Sequence, residues 1–541
     1  MRSAWCALRV YQDNDVSSGE RGRQVTVETT AQHEALVQSL MDPARWFGGG
    51  GDRRRIDTHI STVILAGDFA YKLKKPLNLG FLDFLTVESR HRACLEELRL
   101  NSRHAPEIYQ AVCAITGSID RPAIDGAGEV IDWAVRMARF DPDAILSKLV
   151  DRIDKALIDE LAVRVARFHA EAAACEPLDP YGAPEAVYAP MAQNLEQIRT
   201  RAPRFAADIE PLSRWTVAQS RRLHSVLEKR KAEGHVRECH GDLHLGNVAL
   251  IDGQPVVFDA IEFNAGLRWI DTFNDIGFMT MDLQERGRSD LAYRFLDRYL
   301  QDSGDYEGIT LLRFYEVYRA LVRAKIAAIR ISQADLSDEE YLTVAAELAG
   351  YIGFARQLSE SRHGAMIITQ GVSGSGKSHV SRTLPEILPA VRLRSDVERK
   401  RILGIDPGAD ATDRGAYSLQ LTRQTYTRLV TLARTVVRAG YVAVVDATFL
   451  KRDQRGRFRE LAKELGVPFA IIDCDAPVEI LRERISRRAD QPDNISDADF
   501  SVLEAQLWSR DTLSEEEVAV SVPVRPDCPL DQGRLQRILG T

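Results

Sequence analysis

The sequence predicts an α+β domain followed by an α/β domain built on a parallel sheet. A chain of 541 residues exceeds what one hydrophobic core organises, so at least two domains are expected. Before about residue 358, a hairpin pattern gives way to mostly helical sequence. After it, short apolar strands alternate with helices, which is the pattern of a parallel sheet. We therefore place the main domain boundary between residues 358 and 359.

Composition and charge exclude several classes of function. The formal net charge of -8 does not favour general nucleic-acid binding, which requires a basic surface. No apolar run reaches the roughly 18 residues that cross a bilayer, and no secretion signal is recognised. The 7 cysteines are singly spaced, which argues against a disulfide framework or a zinc site. We expect a soluble, cytoplasmic protein that does not bind membranes.

The first domain is predicted to span residues 31–358, after a polar segment, residues 1–30, that we expect to be disordered. Its small lobe is placed at about residues 31–138 and its large lobe at about residues 139–358. The small-lobe elements are a helix at Glu34–Leu40, a hairpin of His59–Leu65 and Phe69–Leu73, a helix at Val87–Arg103 and a strand at Val130–Ala138. The large lobe is predicted to be helical over residues 141–230 and 291–357, around a mixed segment at residues 236–263.

Residues 359–525 are predicted to form the α/β domain, with residues 526–541 as a C-terminal tail. Four apolar runs of strand length are separated by helical sequence, namely Ala365–Thr369, Val391–Leu393, Tyr441–Val445 and Phe469–Ile472. Parallel strands need long crossover connections, which the intervening helices supply, so these runs are expected to share one parallel sheet.

A phosphate-binding loop follows the first of these strands. The segment GVSGSGKS matches G-x-x-x-x-G-K-[ST] and precedes a predicted helix, which is the required context. Glycines let the backbone N–H groups face phosphate oxygens, a lysine reaches the β- and γ-phosphates, and the final serine holds Mg²⁺. The predicted nucleotide-binding residues are Gly371, Gly374, Ser375, Gly376, Lys377 and Ser378.

Two carboxylates follow later strands of the same domain. Asp446 closes the third strand and is predicted to act on Mg²⁺, and Asp396 comes shortly after the second strand. Ligands collect at the carboxyl ends of parallel strands, so both acids are expected to face the nucleotide. The alternative for each is a helix N-cap.

An arginine-rich stretch, which includes Arg484, Arg487 and Arg488, precedes a polar loop. Arginines on a mobile segment are suited to neutralise charge on transferring phosphates. The alternative is a solvated helix face. Together with Arg394-Ser395-Asp396 and Val445-Asp446-Ala447-Thr448, the domain resembles P-loop kinases related to polynucleotide kinase, gluconate kinase and zeta toxins. The resemblance implies that Asp396 deprotonates an acceptor hydroxyl and that Arg484 and Arg487 or Arg488 contact the phosphates.

The most informative segment of the first domain is CHGDLHLGN, residues 239–247. It holds Asp242 and Asn247, and a second acid, Asp259, follows twelve residues later beyond a predicted hairpin. A kinase-like phosphotransferase needs this set, because one Asp accepts the proton of the acceptor while Asn and the second Asp hold Mg²⁺. A zinc pair formed by His240 and His244 is the weaker alternative, because no helix is predicted there.

HGDLHLGN resembles the catalytic loop of aminoglycoside phosphotransferases, choline kinases and their relatives. The resemblance implies a protein-kinase-like fold in which Asp242 is the catalytic base, Asn247 and Asp259 bind Mg²⁺, and His240 supports the loop. Asp271 and Asp275 fall where these relatives carry a structural Asp, and we expect Asp275 to support the catalytic loop. The order of a phosphotransferase-like domain and a P-loop kinase domain resembles an uncharacterised bacterial family of fused proteins.

This resemblance makes the predicted hairpin part of a small kinase lobe. Lys72 sits at the strand position suited to grip the α- and β-phosphates, and Lys74 competes for the role. The ion-pair partner of the lysine is expected on the next helix, where Glu96 and Glu97 are both candidates. The stretch Val135–Phe140 would be the hinge that meets the adenine.

The leading interpretation is a bifunctional phosphotransferase that uses ATP and Mg²⁺ at two sites. Each domain would transfer the γ-phosphate to a hydroxyl of a small-molecule acceptor. One alternative is a single kinase regulated by a non-catalytic, ATP-binding P-loop domain. The other is phosphorylation of nucleic-acid ends by the second domain, which the acidic charge balance does not favour.

Overall fold

A computed structural model describes residues 27–42, 53–78, 82–332, 336–360, 362–405, 418–489 and 500–540. These residues form two compact units. The first comprises the described residues up to Leu161 together with Arg167–Arg286 and Arg313–Ser359, and the second comprises Ala162–Ala166, Gly287–Leu312 and the residues from Glu360 onward. The segment predicted to be disordered lies outside the described residues, except for residues 27–30.

The first unit begins with an antiparallel sheet, whose strands are β1 (Arg53–Asp57), β2 (Ser61–Ala66), β3 (Phe69–Lys74), β4 (Tyr109–Ser118), β5 (Arg121–Ile124) and β6 (Val130–Ala138). Their order in the sheet is β1-β2-β3-β6-β4-β5. Two helices accompany it, α1 (Thr30–Met41) and α2 (Val87–Asn101). Successive residues of a strand face opposite sides, so Ile64 joins one apolar core with α1 while Val63 and Leu65 join another with α2.

The chain then continues through mostly helical elements, namely α3 (Lys155–Glu171), α4 (Pro184–Arg201), α5 (Ala206–Ala232), β7 (Val236–Glu238), β8 (Val248–Ile251), β9 (Gln254–Val257), α6 (Ala265–Arg268), β10 (Trp269–Asp271), α7 (Thr272–Glu285), α8 (Ser289–Ser303), α9 (Ile309–Ile331) and α10 (Asp338–Ser359). An apolar cluster that includes Leu195, Ile209, Phe278, Leu321 and Leu348 packs α4, α5, α7, α9 and α10 together. Helix α8 groups with the second unit.

The second unit alternates strands and helices, namely β11 (Ala365–Gln370), α11 (Lys377–Ile387), β12 (Ala390–Arg394), α12 (Ser395–Ile402), α13 (Leu419–Arg438), β13 (Val442–Asp446), α14 (Arg452–Leu465), β14 (Phe469–Cys474), α15 (Val478–Ala489), α16 (Phe500–Ser509), α17 (Glu515–Ala519), β15 (Ser521–Val524) and α18 (Gln532–Leu539). The strands form one parallel sheet in the order β12-β13-β11-β14-β15. This order places β11 at the centre, so the loop after it opens at the middle of the carboxyl edge.

Both predicted fold classes agree with these sheets, and every strand predicted for the second domain is present. The segment predicted as a C-terminal tail contains α18, whose Leu535 and Leu539 are buried in the core of the second unit. Within the described parts of the chain, no helix is long and apolar enough to span a membrane.

Candidate active sites

In the first unit, the loop His240–Asn247 connects β7 to β8 and is held by Asp275 of α7. The Asp275 carboxylate accepts the backbone N–H of His240 at 2.8 Å and that of Gly241 at 2.9 Å. Gly241 has φ +85°, and a Cβ there would approach the carbonyl oxygen of Leu267 to 2.7 Å. A side chain at this position is therefore excluded by both conformation and space. The prediction that Asp275 supports this loop is confirmed.

Asp242 and Asn247 lie together at the open side of this loop. The Nδ2 of Asn247 donates to the Oδ2 and to the backbone oxygen of Asp242, both at 3.0 Å. His244 Nδ1 accepts the N–H of Gly246 at 3.0 Å, which assigns its proton to Nε2. That Nε2 lies 3.3 Å from Asp242 Oδ2. One carboxylate oxygen is therefore held by two donors.

The electrostatic surroundings keep Asp242 ionised. Its side chain is 37% exposed. Enclosure by the protein raises its pKa, but the contact with His244 and the charge of Arg319 outweigh that effect, so the pKa of the Asp242 carboxyl lies below its ordinary value. An ionised carboxylate at this position is able to accept a hydrogen bond from an acceptor hydroxyl.

The alternative of a zinc pair does not agree with the contacts of the two histidines. His240 Nδ1 accepts the N–H of Asp242 at 3.2 Å, and its Nε2 donates to the Phe258 carbonyl at 2.9 Å. Burial lowers the pKa of His240, which favours this neutral form. Since His244 uses both ring nitrogens as well, these two side chains serve the loop itself.

Lys72 on β3 joins the small-lobe helix to the second predicted metal ligand. Its Nζ lies 2.7 Å from Glu97 Oε1 on α2 and 2.5 Å from Asp259 Oδ1, just beyond β9. Lys72 and Glu97 are buried. Burial opposes ionisation of Glu97, but Lys72 and Lys74 lower the pKa of its carboxyl to about 2. The ion pair is therefore maintained in the interior.

The competing lysine, Lys74, has a different position. Its Nζ lies 2.5 Å from Glu97 Oε2 and also contacts the Glu262 carboxylate, and its side chain is fully buried. Glu96, the alternative partner on α2, pairs instead with Arg99 and Arg268. Lys72 is thus the lysine that contacts Asp259, and Lys74 forms an interior ion pair behind it.

Asp259 has an unusual backbone conformation, with φ +67°. Non-glycine residues rarely adopt this conformation, although Asp does so more often than most, and such residues are enriched at active sites. Its N–H donates to the Tyr109 hydroxyl at 3.2 Å, which helps to hold the turn. Asn247 uses Nδ2 on Asp242, which leaves Oδ1 as an acceptor. Carboxylate and amide oxygens are the hard donors that Mg²⁺ prefers, so this donor set fits the ion.

The predicted hinge, Val135–Phe140, lies at the end of β6 and just beyond it. Phe140 packs edge-on against Phe258, with ring centroids 5.3 Å apart. The hinge therefore contacts the residue that precedes Asp259.

In the second unit, residues Gly371–Ser378 form the turn between β11 and α11. Gly371, Gly374 and Gly376 have φ values of +144°, +82° and +100°. A Cβ on Gly371 would approach the Cys474 carbonyl oxygen to 2.2 Å, and one on Gly374 the Leu481 carbonyl oxygen to 2.9 Å. The glycines are thus required for the path of the loop, and α11 begins at Lys377 with its N-terminal N–H groups facing the loop.

The predicted phosphate-binding lysine and metal-binding acid of this unit each have a partner within the protein. Lys377 Nζ donates to the Val372 carbonyl at 2.8 Å. The buried Asp446, at the end of β13, accepts the Ser381 hydroxyl at 2.8 Å, one helical turn beyond Ser378. Among the residues described in this unit, Ser378 and Asp446 share no hydrogen bond. Their joint role in binding Mg²⁺ stays a prediction.

The two predicted lid arginines differ in position. Arg484 Nη1 donates to the Gly374 carbonyl at 3.1 Å, which places its guanidinium at the P-loop. Arg487 pairs with Glu483 at 2.6 Å and is 74% exposed, as expected for a solvated helix face. The side chain of Arg488 and all but the first residue of the predicted polar loop, residues 489–498, lie outside the described residues.

Asp396 lies in the first turn of α12, next to the carboxyl end of β12. Its carboxylate pairs with Arg399 at 2.8 Å and is 30% exposed. Strands β12, β13 and β11 are parallel neighbours in the sheet, so their carboxyl ends lie at the same edge. Asp396 and the P-loop therefore lie at this edge, with β13 between their strands. The N-cap position of α12 belongs to Arg394, so the alternative reading of Asp396 as a helix cap is not observed.

Glu262 was not predicted as a site residue, although a signal for it exists in the sequence. Lys72 and Lys74 are two residues apart on one strand and therefore project to the same face. Two buried lysines on one face need more than one acidic partner. Glu97 supplies one partner, and Glu262, three residues after Asp259, supplies the other.

Relatives of the chain span both units. An uncharacterized protein of Mycobacterium tuberculosis H37Rv, Rv2004c, is 31% identical over 441 residues, which cover 80% of this chain and 86% of that protein. The uncharacterized protein Mb2027c of Mycobacterium bovis matches with the same identity and coverage. The chain belongs to the family of these mycobacterial proteins.

Two broader protein families each match one part of this chain. The Phosphotransferase enzyme family matches residues 90–315, and the AAA domain matches residues 366–513. The predicted order of a phosphotransferase-like domain and a P-loop kinase domain is thereby confirmed, as are the two fold classes. The fused protein is a kinase or phosphotransferase.

Solved structures that are similar to the two parts of the chain have low TM-scores. A choline/ethanolamine kinase family protein from Mesorhizobium loti is 11% identical, covering 60% of this chain and 99% of its own, with a TM-score of 0.34. A gluconokinase from Sinorhizobium meliloti 1021 is 24% identical, covering 33% and 91%, with a TM-score of 0.23.

Proposed function

We propose that the protein is a bifunctional kinase, in which each unit transfers the γ-phosphate of ATP to a hydroxyl of a small-molecule acceptor. The observation that carries the proposal is the buried Lys72–Glu97 pair in contact with Asp259. A phosphotransferase needs a fixed cation that binds the phosphates next to its metal-binding acid. Most of the rate enhancement in phosphoryl transfer comes from positioning the reactants and stabilising their charge.

In the first unit, the residues have separate tasks. Lys72 would bind the α- and β-phosphates, and Glu97 keeps its ammonium group in place. Asp242 would orient the acceptor hydroxyl and accept its proton, while Asn247 and His244 fix the carboxylate by the 3.0 Å and 3.3 Å contacts. Asn247 and Asp259 would hold Mg²⁺, which neutralises phosphate charge when bound.

In the second unit, the P-loop would bind the phosphates of a second ATP. Its N–H groups and the N-terminus of α11 provide partial positive charge, to which Lys377 adds a full charge. Arg484, already at the Gly374 carbonyl, would contact the transferring phosphate. Ser378 and Asp446 would hold Mg²⁺, and Asp396 would accept the proton of the acceptor.

A specific observation favours the second candidate, a kinase regulated by its P-loop domain. Helix α8 lies within the residues matched to the Phosphotransferase enzyme family, yet it belongs to the second compact unit. Within that unit, its Asp297 forms a buried ion pair with Arg392 at 2.8 Å. Arg392 is on β12, directly before the α12 helix of Asp396. This contact is therefore suited to link a helix of the phosphotransferase-like sequence to the predicted acceptor site of the P-loop domain.

We also propose a cytoplasmic location. All cysteines in the described residues are free thiols, and five of those six are buried. A reducing compartment suits this distribution.

The test uses labelled ATP with sugars, aminoglycosides, nucleosides and oligonucleotide ends as acceptors. Wild type is compared with Asp242→Asn, Lys377→Ala and the control Arg167→Gln, whose residue is 78% exposed. We expect Asp242→Asn and Lys377→Ala to lower transfer by about 100-fold or more, each to a different acceptor class.

The alternatives give different patterns in this experiment. If both variants lose the same product, a single site catalyses the transfer and the other site regulates it. Labelling of oligonucleotide ends that depends on Lys377 indicates a nucleic-acid kinase. Retention of all products in both variants contradicts the proposal.

A further inference from the structure

Three cations of α9 lie near Asp242, where an acceptor hydroxyl has to bind. The Arg319 guanidinium lies 4.7 Å from the centroid of the Phe278 ring. The His244 imidazole contacts the same ring at 4.9 Å and is itself 3.3 Å from Asp242. Arg319 is therefore separated from Asp242 by only two side chains, those of Phe278 and His244.

Arg319 lacks a carboxylate partner within the described chain. Its one hydrogen bond there runs from Nε to Asn274 Oδ1 at 2.7 Å, and its other contacts are with the aromatic rings of Phe278 and Tyr318. The residue is 5% exposed. A guanidinium so far from water is costly without an anion, so an anionic ligand would be bound strongly there.

The other two cations extend this positive charge. Arg323, one helical turn after Arg319, lies 5.7 Å from the Tyr351 ring and is within electrostatic range of Asp242. Lys325 forms no hydrogen bond or ion pair with any residue that the structure describes. Burial and repulsion by Arg319 lower the pKa of Lys325 to about 8, against the attraction of Asp242. Its ammonium group thus lies within electrostatic range of both Arg319 and Asp242.

The acids nearest to these cations have other partners. Asp282 accepts the N–H of Leu245 at 3.0 Å and pairs with Arg286 at 3.0 Å. Glu285 interacts first with Arg286 and only more weakly with Arg323. Asp282 also attracts Arg323, and Asp275 also attracts Arg319, but neither acid forms an ion pair with these cations in the described part of the chain.

We propose that the acceptor of the first unit is an alcohol that also carries a carboxylate or phosphate group. This anionic group binds to Arg319, Arg323 and Lys325 while the hydroxyl faces Asp242. The inference rests on the proposed kinase function of this site and names its substrate class. The same cations repel amine-bearing acceptors, so aminoglycosides and quaternary ammonium alcohols are disfavoured.

The test uses the full chain with Lys377→Ala, so that the P-loop does not contribute, and with ADP and Mg²⁺ present. Glucose, glucose phosphate, gluconate and glucosamine are titrated by calorimetry. We expect at least one of the two anionic sugars to bind tenfold or more tightly than glucose and glucosamine. Which of them binds distinguishes a phosphate from a carboxylate.

Two further variants locate the binding. Arg319→Gln and Lys325→Gln are each expected to weaken binding of the anionic sugar tenfold or more, whereas the control Arg167→Gln leaves it unchanged. Lys325→Gln removes no intramolecular bond from the described structure, so it remains informative if Arg319→Gln fails to fold. Equal binding of glucose or glucosamine, no binding of either anionic sugar, or unchanged affinity in Lys325→Gln overturns the inference.

A last comparison separates this inference from the kinase proposal. In the Asp242→Asn variant the anionic sugar is expected to bind with unreduced affinity, but transfer from ATP is lost. Binding that depends on Arg319 without transfer in the parent protein would contradict the kinase function and leave the anion site in place.

Discussion

At the scale of single residues, the two lysines of β3 differ in the exposure of their acidic partners. We therefore expect one lysine to act mainly in catalysis and the other mainly in stability. Lys72 shares Glu97 with Lys74, but it also contacts Asp259, whose side chain is 21% exposed. Among the described residues, the acidic partners of Lys74 are Glu97 and Glu262, and both are in the interior. Loss of each lysine therefore leaves a different acid unpaired.

We predict that Lys72→Met lowers phosphate transfer by the first unit about 100-fold or more, with a small change in stability. Glu97 keeps Lys74, and Asp259 reaches solvent. Lys74→Met is expected to lower the free energy of unfolding by about 3–5 kcal/mol, because Glu262 is left buried and unpaired. Kinetics and urea unfolding of both variants check this, and equal destabilisation by the two changes would contradict it.

Some residues of the site could be predicted from the sequence, and others could not. Asp242, Asn247 and Asp259 could be named because their spacing around a hairpin is specific. The choice between Glu96 and Glu97 could not be made, since adjacent helical residues differ by only about 100° in direction. The Arg319 contacts could not be predicted either, because Asn274 and Phe278 lie on a different helix.

At the scale of elements, strands with interrupted patterns were not predicted. In β4 the pairing register shifts twice, which breaks the alternation of buried and exposed residues. Strand β15 contains Pro523, which is tolerated because β15 is at the edge of its sheet. Helix α7 is buried along almost its whole length, so its polar residues are buried as well and do not mark a solvated face by which a helix is recognised.

Helix α8 was predicted as a helix, but its packing depends on residues far away in sequence. Asp297 accepts the backbone N–H and the Nε of Arg392, both at 2.9 Å, across 95 positions of the chain. We predict that Asp297→Ala lowers the stability of the second unit by about 3–5 kcal/mol, because it leaves the Arg392 guanidinium buried without a carboxylate.

The matched control for this change is Asp302→Ala on the same helix. Asp302 pairs with Arg298 near the surface, and exposed pairs of this kind contribute about 0–1 kcal/mol. Urea unfolding of both variants gives the comparison. A loss in Asp302→Ala as large as that in Asp297→Ala would mean that the helix, and not its buried ion pair, determines the effect.

At the scale of the whole molecule, each unit has its own apolar core and its own predicted nucleotide site. Units with separate cores are expected to unfold in separate calorimetric transitions. A ligand that binds only the folded state stabilises it by about 2.7 kcal/mol at a concentration 100 times its Kd. ATP with Mg²⁺ is therefore expected to raise both transition temperatures.

Variants assign the two transitions. Lys377→Ala is expected to remove the shift of the transition that belongs to the second unit, while the other shift persists. Lys72→Met is expected to give the reverse pattern, since its site is built from residues of the first unit. If either variant removed both shifts, nucleotide binding at the two sites would be coupled, and a P-loop domain that regulates a single kinase would then be the better account.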